Sequence, residues 1–113
     1  MSLTIPGKEL VLGGRRLVLA PLNAAAVKQY REQIKSVFVG QVPDIELISQ
    51  LAHASLSRNY PEMTLAEVEE LVDYGNLFEI WETVMNVSGL AVAAGKLMRR
   101  VQEEMAATGL QTP

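Results

Sequence analysis

Two short runs of alternating apolar residues open the chain, Lys8–Leu12 and Arg15–Leu19, with Gly13-Gly14 between them. A Gly-Gly pair supplies the positive φ angles of a two-residue turn, so the pattern predicts an antiparallel β-hairpin. In that register Leu10 faces Leu17 and Leu12 faces Arg15. Leu10, Leu12, Leu17 and Leu19 then share one face, and Glu9, Val11, Arg16 and Val18 share the other. A lone hairpin is marginal in water, so the leucine face must be covered by helices or by another subunit.

After Pro21 the apolar period lengthens from two to three or four. Asn23 can cap a helix carrying Ala24, Val27, Tyr30, Ile34 and Phe38 on one side, broken by Gly40 and Pro43. Asp44 caps a second, whose stripe is Ile45, Ile48, Leu51, Ala52 and Leu56. Asn59 to Met63, with Pro61, reads as a turn. Thr64 and Glu67 form a capping box opening a third helix, with Leu65, Val68, Leu71 and Val72 inward and a left-handed end expected at Tyr74-Gly75.

Asn76 starts a fourth helix, in which Leu77, Phe78, Ile80, Trp81, Val84 and Met85 cover a wide arc that suits the centre of a core. Ser88-Gly89 allows a break, and Leu90 to about Ala107 reads as a fifth helix with Lys96, Arg99 and Arg100 outward. Val87, Ala91, Ala94, Met98, Val101 and Met105 recur by fours and threes, the heptad signature of a helix seam. That seam fits packing on the chain's own domain as well as contact with a subunit or partner. Thr108 to Pro113 is expected to be a flexible tail. The expectation is a mainly α fold with a short N-terminal hairpin (α+β), about five helices in one compact domain over 1–107. The hairpin occupies 8–19, the helical part 24–107 and the tail 108–113.

Composition narrows the function. A chain of 113 residues, 49% apolar and 20% charged, is the size and balance of one globular domain. A net charge of −3 argues against the basic surface that dominates nucleic-acid affinity. With no cysteine there is no disulfide framework, thiolate metal site or cysteine nucleophile. The N-terminus lacks a charged start followed by an apolar signal core, and no apolar stretch approaches the ~20 residues that span a bilayer. The reading is an untargeted, soluble protein of a cytoplasm, with no membrane and no nucleic acid as partner.

Candidate chemistry is sparse. His53 is the only histidine, which leaves no His pair for zinc and no ready triad. Glu67, Glu69, Glu70 and Asp73 could form a metal or acid–base patch, but consecutive carboxylates on a helix read better as a solvated face. Gly13-Gly14 before Arg15-Arg16 has no following helix N-terminus to bind phosphate. The third and fourth helices have the lengths of a helix-turn-helix, yet the second would present Glu79 and Glu82 to phosphates. Trp81 and its neighbours fit either a core or a ligand pocket. No catalytic, metal or cofactor site is expected. Two candidate protein-interaction surfaces remain, the leucine face (Leu10, Leu12, Leu17, Leu19) and the seam (Val87, Ala91, Ala94, Met98, Val101, Met105).

From Leu51 to Gly89 the chain reads LAHASLSRNYPEMTLAEVEELVDYGNLFEIWETVMNVSG. An A-x-x-S-L helix end, the R-N-Y-P turn at Arg58 to Pro61, the capped acidic helix T-L-A-E-V-E-E-L-V-D and the N-L-F-E-I helix ending at V-S-G follow in order. Together with the N-terminal G-K-E-L-V-L hairpin ending at Ala20-Pro21-Leu22, this resembles the small tail assembly chaperones of long-tailed bacteriophages and prophages. The resemblance implies a non-enzymatic, homo-oligomeric protein of the bacterial host cytoplasm without cofactors. It would bind the tape measure protein, keep it soluble and help recruit tail tube protein. Members of the family often occur in a second form extended by a translational frameshift. Met85, Met98 and Met105 would offer adaptable apolar surface to a repetitive helical target. The competing readings are a small helix-turn-helix regulator and a minor structural protein of the virion.

Overall fold

The computed structural model describes residues 4–90 and Glu103. In chain order these form β1 (Lys8–Leu12), β2 (Arg15–Leu19), α1 (Ala24–Phe38), α2 (Ile45–Leu56), α3 (Leu65–Leu71) and α4 (Leu77–Val87). The expected fifth helix, from Leu90 to about Ala107, and the tail at 108–113 lie outside the described residues, apart from Leu90 and Glu103, both helical.

The hairpin has the register the alternation predicts, with Leu10 opposite Leu17 and Leu12 opposite Arg15. Gly13 and Gly14 take φ of 58° and 77°, the left-handed pair of a tight hairpin turn. All four leucines are buried by the helices of the same chain. The hairpin lies against α2 and α4, chiefly through β2, and α2 also packs on α1, α3 and α4. The innermost side chains come from these central elements: Leu19, Ile48, Leu51, Leu56, Val68, Ile80, Val84 and Met85.

Three helices start as their caps dictate. Asn23 Oδ1 accepts the Ala26 N–H at 2.9 Å, Asp44 Oδ1 the Leu47 N–H at 2.7 Å, and Thr64 Oγ1 the Glu67 N–H at 3.1 Å. The capping box is modified: the Glu67 carboxylate accepts from the Thr64 hydroxyl at 3.3 Å, not from its amide.

The α3–α4 junction departs from expectation. The third helix stops at Leu71, Val72 is already extended, and Gly75 does not take the left-handed conformation. Asp73 Oδ1 instead accepts the N–H groups of Gly75 and Asn76 at 2.8 and 2.9 Å. Asn76 stands at the N-cap of α4, but its side chain makes no capping bond to that helix. Its amide closes α3, donating to the Leu71 carbonyl at 2.8 Å and accepting the Asp73 N–H at 2.9 Å. Two side chains thus supply what a glycine cap would have done.

The segment leading out of the hairpin is held by polar bonds from distant residues. In a two-residue hairpin Val18 falls at a non-hydrogen-bonded pair, so its N–H points away from β1; Tyr60 Oη accepts it at 3.0 Å. Ser55 Oγ donates to the Ala20 carbonyl at 2.7 Å, Arg58 Nη1 to the Pro21 carbonyl at 2.7 Å, and Ser88 Oγ accepts the Leu22 N–H at 2.9 Å. Asn59 engages both backbone groups of Ile5, accepting its N–H at 2.5 Å and donating to its carbonyl at 3.0 Å. The Arg-Asn-Tyr of the R-N-Y-P turn is therefore a clasp that fixes the N-terminal segment and β2 to the end of α2.

Candidate functional site

His53 sits half-buried on α2 with Nε2 3.0 Å from the Met63 carbonyl, which ties the 57–63 turn back to its helix. That bond is structural, and no carboxylate or nucleophile pairs with the ring among the described residues. Nor do three His, Asp or Glu residues converge on a metal-sized site there. Of the acidic group on α3, Glu69 lines a cleft of about 290 Å³ together with Glu46, Ile45, Ser49, Gln50 and Leu65. It is an open groove between α2 and α3. Arg16 at the hairpin pairs with Glu9 at 3.4 Å, and both side chains are exposed.

The two surfaces expected to meet a partner fare differently. Leu10, Leu12, Leu17 and Leu19 lie between 0% and 6% exposed against the chain's own helices, so the leucine face is not a free surface. The physical reason is the one that raised the question: a hairpin face needs cover, and α2 and α4 supply it. Of the seam, Val87 is half-buried at the end of α4, while Ala91, Ala94, Met98, Val101 and Met105 lie outside the described residues.

The exposed apolar surface lies elsewhere. Phe78 is 58% exposed in the first turn of α4 and Tyr74 82% in the turn before it, while Val39 and Val42 are exposed beyond the end of α1 and Val11 on the outer face of the hairpin. Trp81, one turn beyond Phe78, is half-buried and packs on Phe38 of α1, ring centroids 6.1 Å apart at an interplanar angle of 49°. Phe78 corrects an expectation, since the wide apolar arc of α4 was to bury it. Burial on this helix is rotated towards Thr83, which is 4% exposed, and Phe78 is left on the solvent side with Glu79, Glu82 and Asn86. At 3.6 residues per turn Phe78 lies at the edge of the arc, about 40° from Glu82, and spacing alone does not say which edge faces the core.

Charge is unevenly divided. Residues 1–43 carry six Lys or Arg against two Glu, whereas residues 44–90 carry nine Asp or Glu against Arg58 alone. Arg58 is bonded to a backbone carbonyl. The ion pairs among the described residues, Arg16–Glu9 and Lys35–Glu32 at 3.9 Å, both lie in the basic part. The exposed carboxylates of α3, α4 and the turn between them have no cationic partner among the described residues. No described helix is long and apolar enough to cross a membrane. In comparisons with protein-family models, curated proteins and solved structures, the chain matches none.

Proposed function

We propose that this chain is a protein-binding assembly factor, a tail assembly chaperone of long-tailed phages or prophages acting in the bacterial cytoplasm on the tape measure protein and assisting tail tube assembly. The observation that carries the reading is the exposed aromatic surface of α4. A domain that buries its core and the leucine face of its hairpin, yet leaves Phe78 and Tyr74 in solvent, keeps aromatic surface for another protein. That surface falls within the segment 51–89 along which the resemblance runs. The three residues that open its R-N-Y-P turn hold the hairpin to the helices, so the likeness rests on residues with structural work to do.

A long amphipathic tape measure helix exposes apolar stripes until the tail tube encloses it, and helix-in-groove contacts would cover them. Glu79 and Glu82, exposed on α4, weigh against placing that helix in a DNA groove. Co-expression with the tape measure protein of the same genome tests the proposal. The tape measure protein is expected to become soluble and to copurify with this chain, and the chain to be absent from finished particles. Failure of either the short or a frameshift-extended form to yield a soluble complex contradicts it.

A further inference from the structure

We infer that the exposed side of α4, where Phe78 stands between Trp81 and Glu82 with Glu79 at its far edge, together with Asp73 and Tyr74 in the turn before it, docks a basic amphipathic helix of the partner protein. The inference rests on the chaperone reading only in taking that partner to be the chaperone's client.

Two features on this face select for cations. Its carboxylates have no ion-pair partner among the described residues. Their local field therefore rewards an incoming Lys or Arg, which gives charge complementarity and faster encounter. The ring faces of Phe78 and Trp81 carry negative quadrupole density, which attracts the same groups, and Arg most of all. The apolar requirement comes from the rings themselves. Trp81, one turn on from Phe78, packs on the Phe38 ring, so its side chain is already ordered and loses little entropy on contact. A helix presenting Leu or Met on one side and Lys or Arg at its borders satisfies both at once. The basic residues of α1, Lys28, Arg31 and Lys35, make a second copy of the chain the competing occupant.

The test uses the full chain and a synthetic three-heptad helix with Leu at the a and d positions and Lys at the others. A matched peptide carrying Glu in place of Lys serves as the control. The Leu–Lys peptide is expected to bind, and to weaken steeply as salt shortens the Debye length from about 10 Å towards 3 Å. Phe78→Ala is expected to lower affinity about tenfold, the scale of losing one anchoring aromatic. Glu79→Lys with Glu82→Lys should do at least as much. Glu9→Lys with Glu62→Lys changes net charge equally, on the outer face of the hairpin and in the 57–63 turn, and should leave affinity within about twofold, because exposed charges away from the contact are screened. Tyr74→Ser, outside any helix, gives a second readout that leaves α4 intact, and circular dichroism checks folding of every variant.

Equal loss in the two lysine pairs, full affinity in Phe78→Ala and Tyr74→Ser, or equal binding of the Leu–Glu peptide each overturns the proposal. So does concentration-dependent self-association of the wild-type chain that Glu79→Lys with Glu82→Lys abolishes, because the occupant is then a second copy. If the variants lose the peptide but the tape measure protein never becomes soluble with the wild type, the functional reading fails and the docking face stands. If the α4 variants still solubilise the tape measure protein, the docking face fails and the functional reading stands.

Discussion

Ser55 has no exposed surface, and its hydroxyl reaches across 35 residues to the Ala20 carbonyl. Replacing it with Val would leave that buried carbonyl without a donor, which costs about 1–3 kcal/mol. A lower urea midpoint with an unchanged m-value is the expected result, and an unchanged midpoint would show that the bond contributes nothing. Gly7 is constrained in another way. A Cβ there would fall 1.9 Å from the Leu19 carbonyl oxygen, so Gly7→Ala must push the N-terminal segment off the hairpin edge. Loss of protection at the Ile5 amide, which Asn59 holds, is the measurement that checks it. Neither constraint was legible in the sequence. The caps Asn23, Asp44 and Thr64 were, because a cap and its amide lie three residues apart. Ser55, Arg58, Asn59 and Tyr60 act on residues 35 to 54 positions away, and no local pattern announces such a pair.

Among the elements, α1 is the loosest. Of its 15 residues only Ala26 and Ile34 are buried, whereas α2 buries seven of 12. A helix with so few buried contacts opens without the rest of the domain. Native-state hydrogen exchange should find α1 amides exchanging through local opening, while those of Leu51–Leu56 and Ile80–Met85 wait for global unfolding. Equal protection in α1 and α2 would contradict this packing. Ala24 was placed on the inward side of α1 by spacing alone, yet Ala26 is buried and Ala24 is exposed. The hairpin register was readable because a period of two leaves one solution once Gly13-Gly14 marks the turn. The end of α3 was not, since Asp73 and Asn76 replace the expected glycine cap. The rotation of α4 was not either, because a small polar residue, Thr83, takes an inward position that hydrophobicity would assign to Phe78.

At the scale of the molecule, a basic first third and an acidic α2–α4 region meet across one core. The fold class and the hairpin-plus-helices order followed from periodicity. The exposed aromatic surface did not, since spacing cannot tell a buried apolar residue at the edge of an arc from an exposed one. The leucine face proved to be core, and the exposed aromatic residues are Phe78 on α4 and Tyr74 just before it. Trp81, the one tryptophan of the chain, stands at the margin of the exposed side of α4 and reports on it directly. Its emission is best followed while the full chain is titrated with the proposed partner, the tape measure protein of the same genome, under conditions where a complex is seen by sedimentation. A saturating blue shift, absent in Phe78→Ala, is the predicted result. A complex that forms with no change in Trp81 emission would contradict binding at α4.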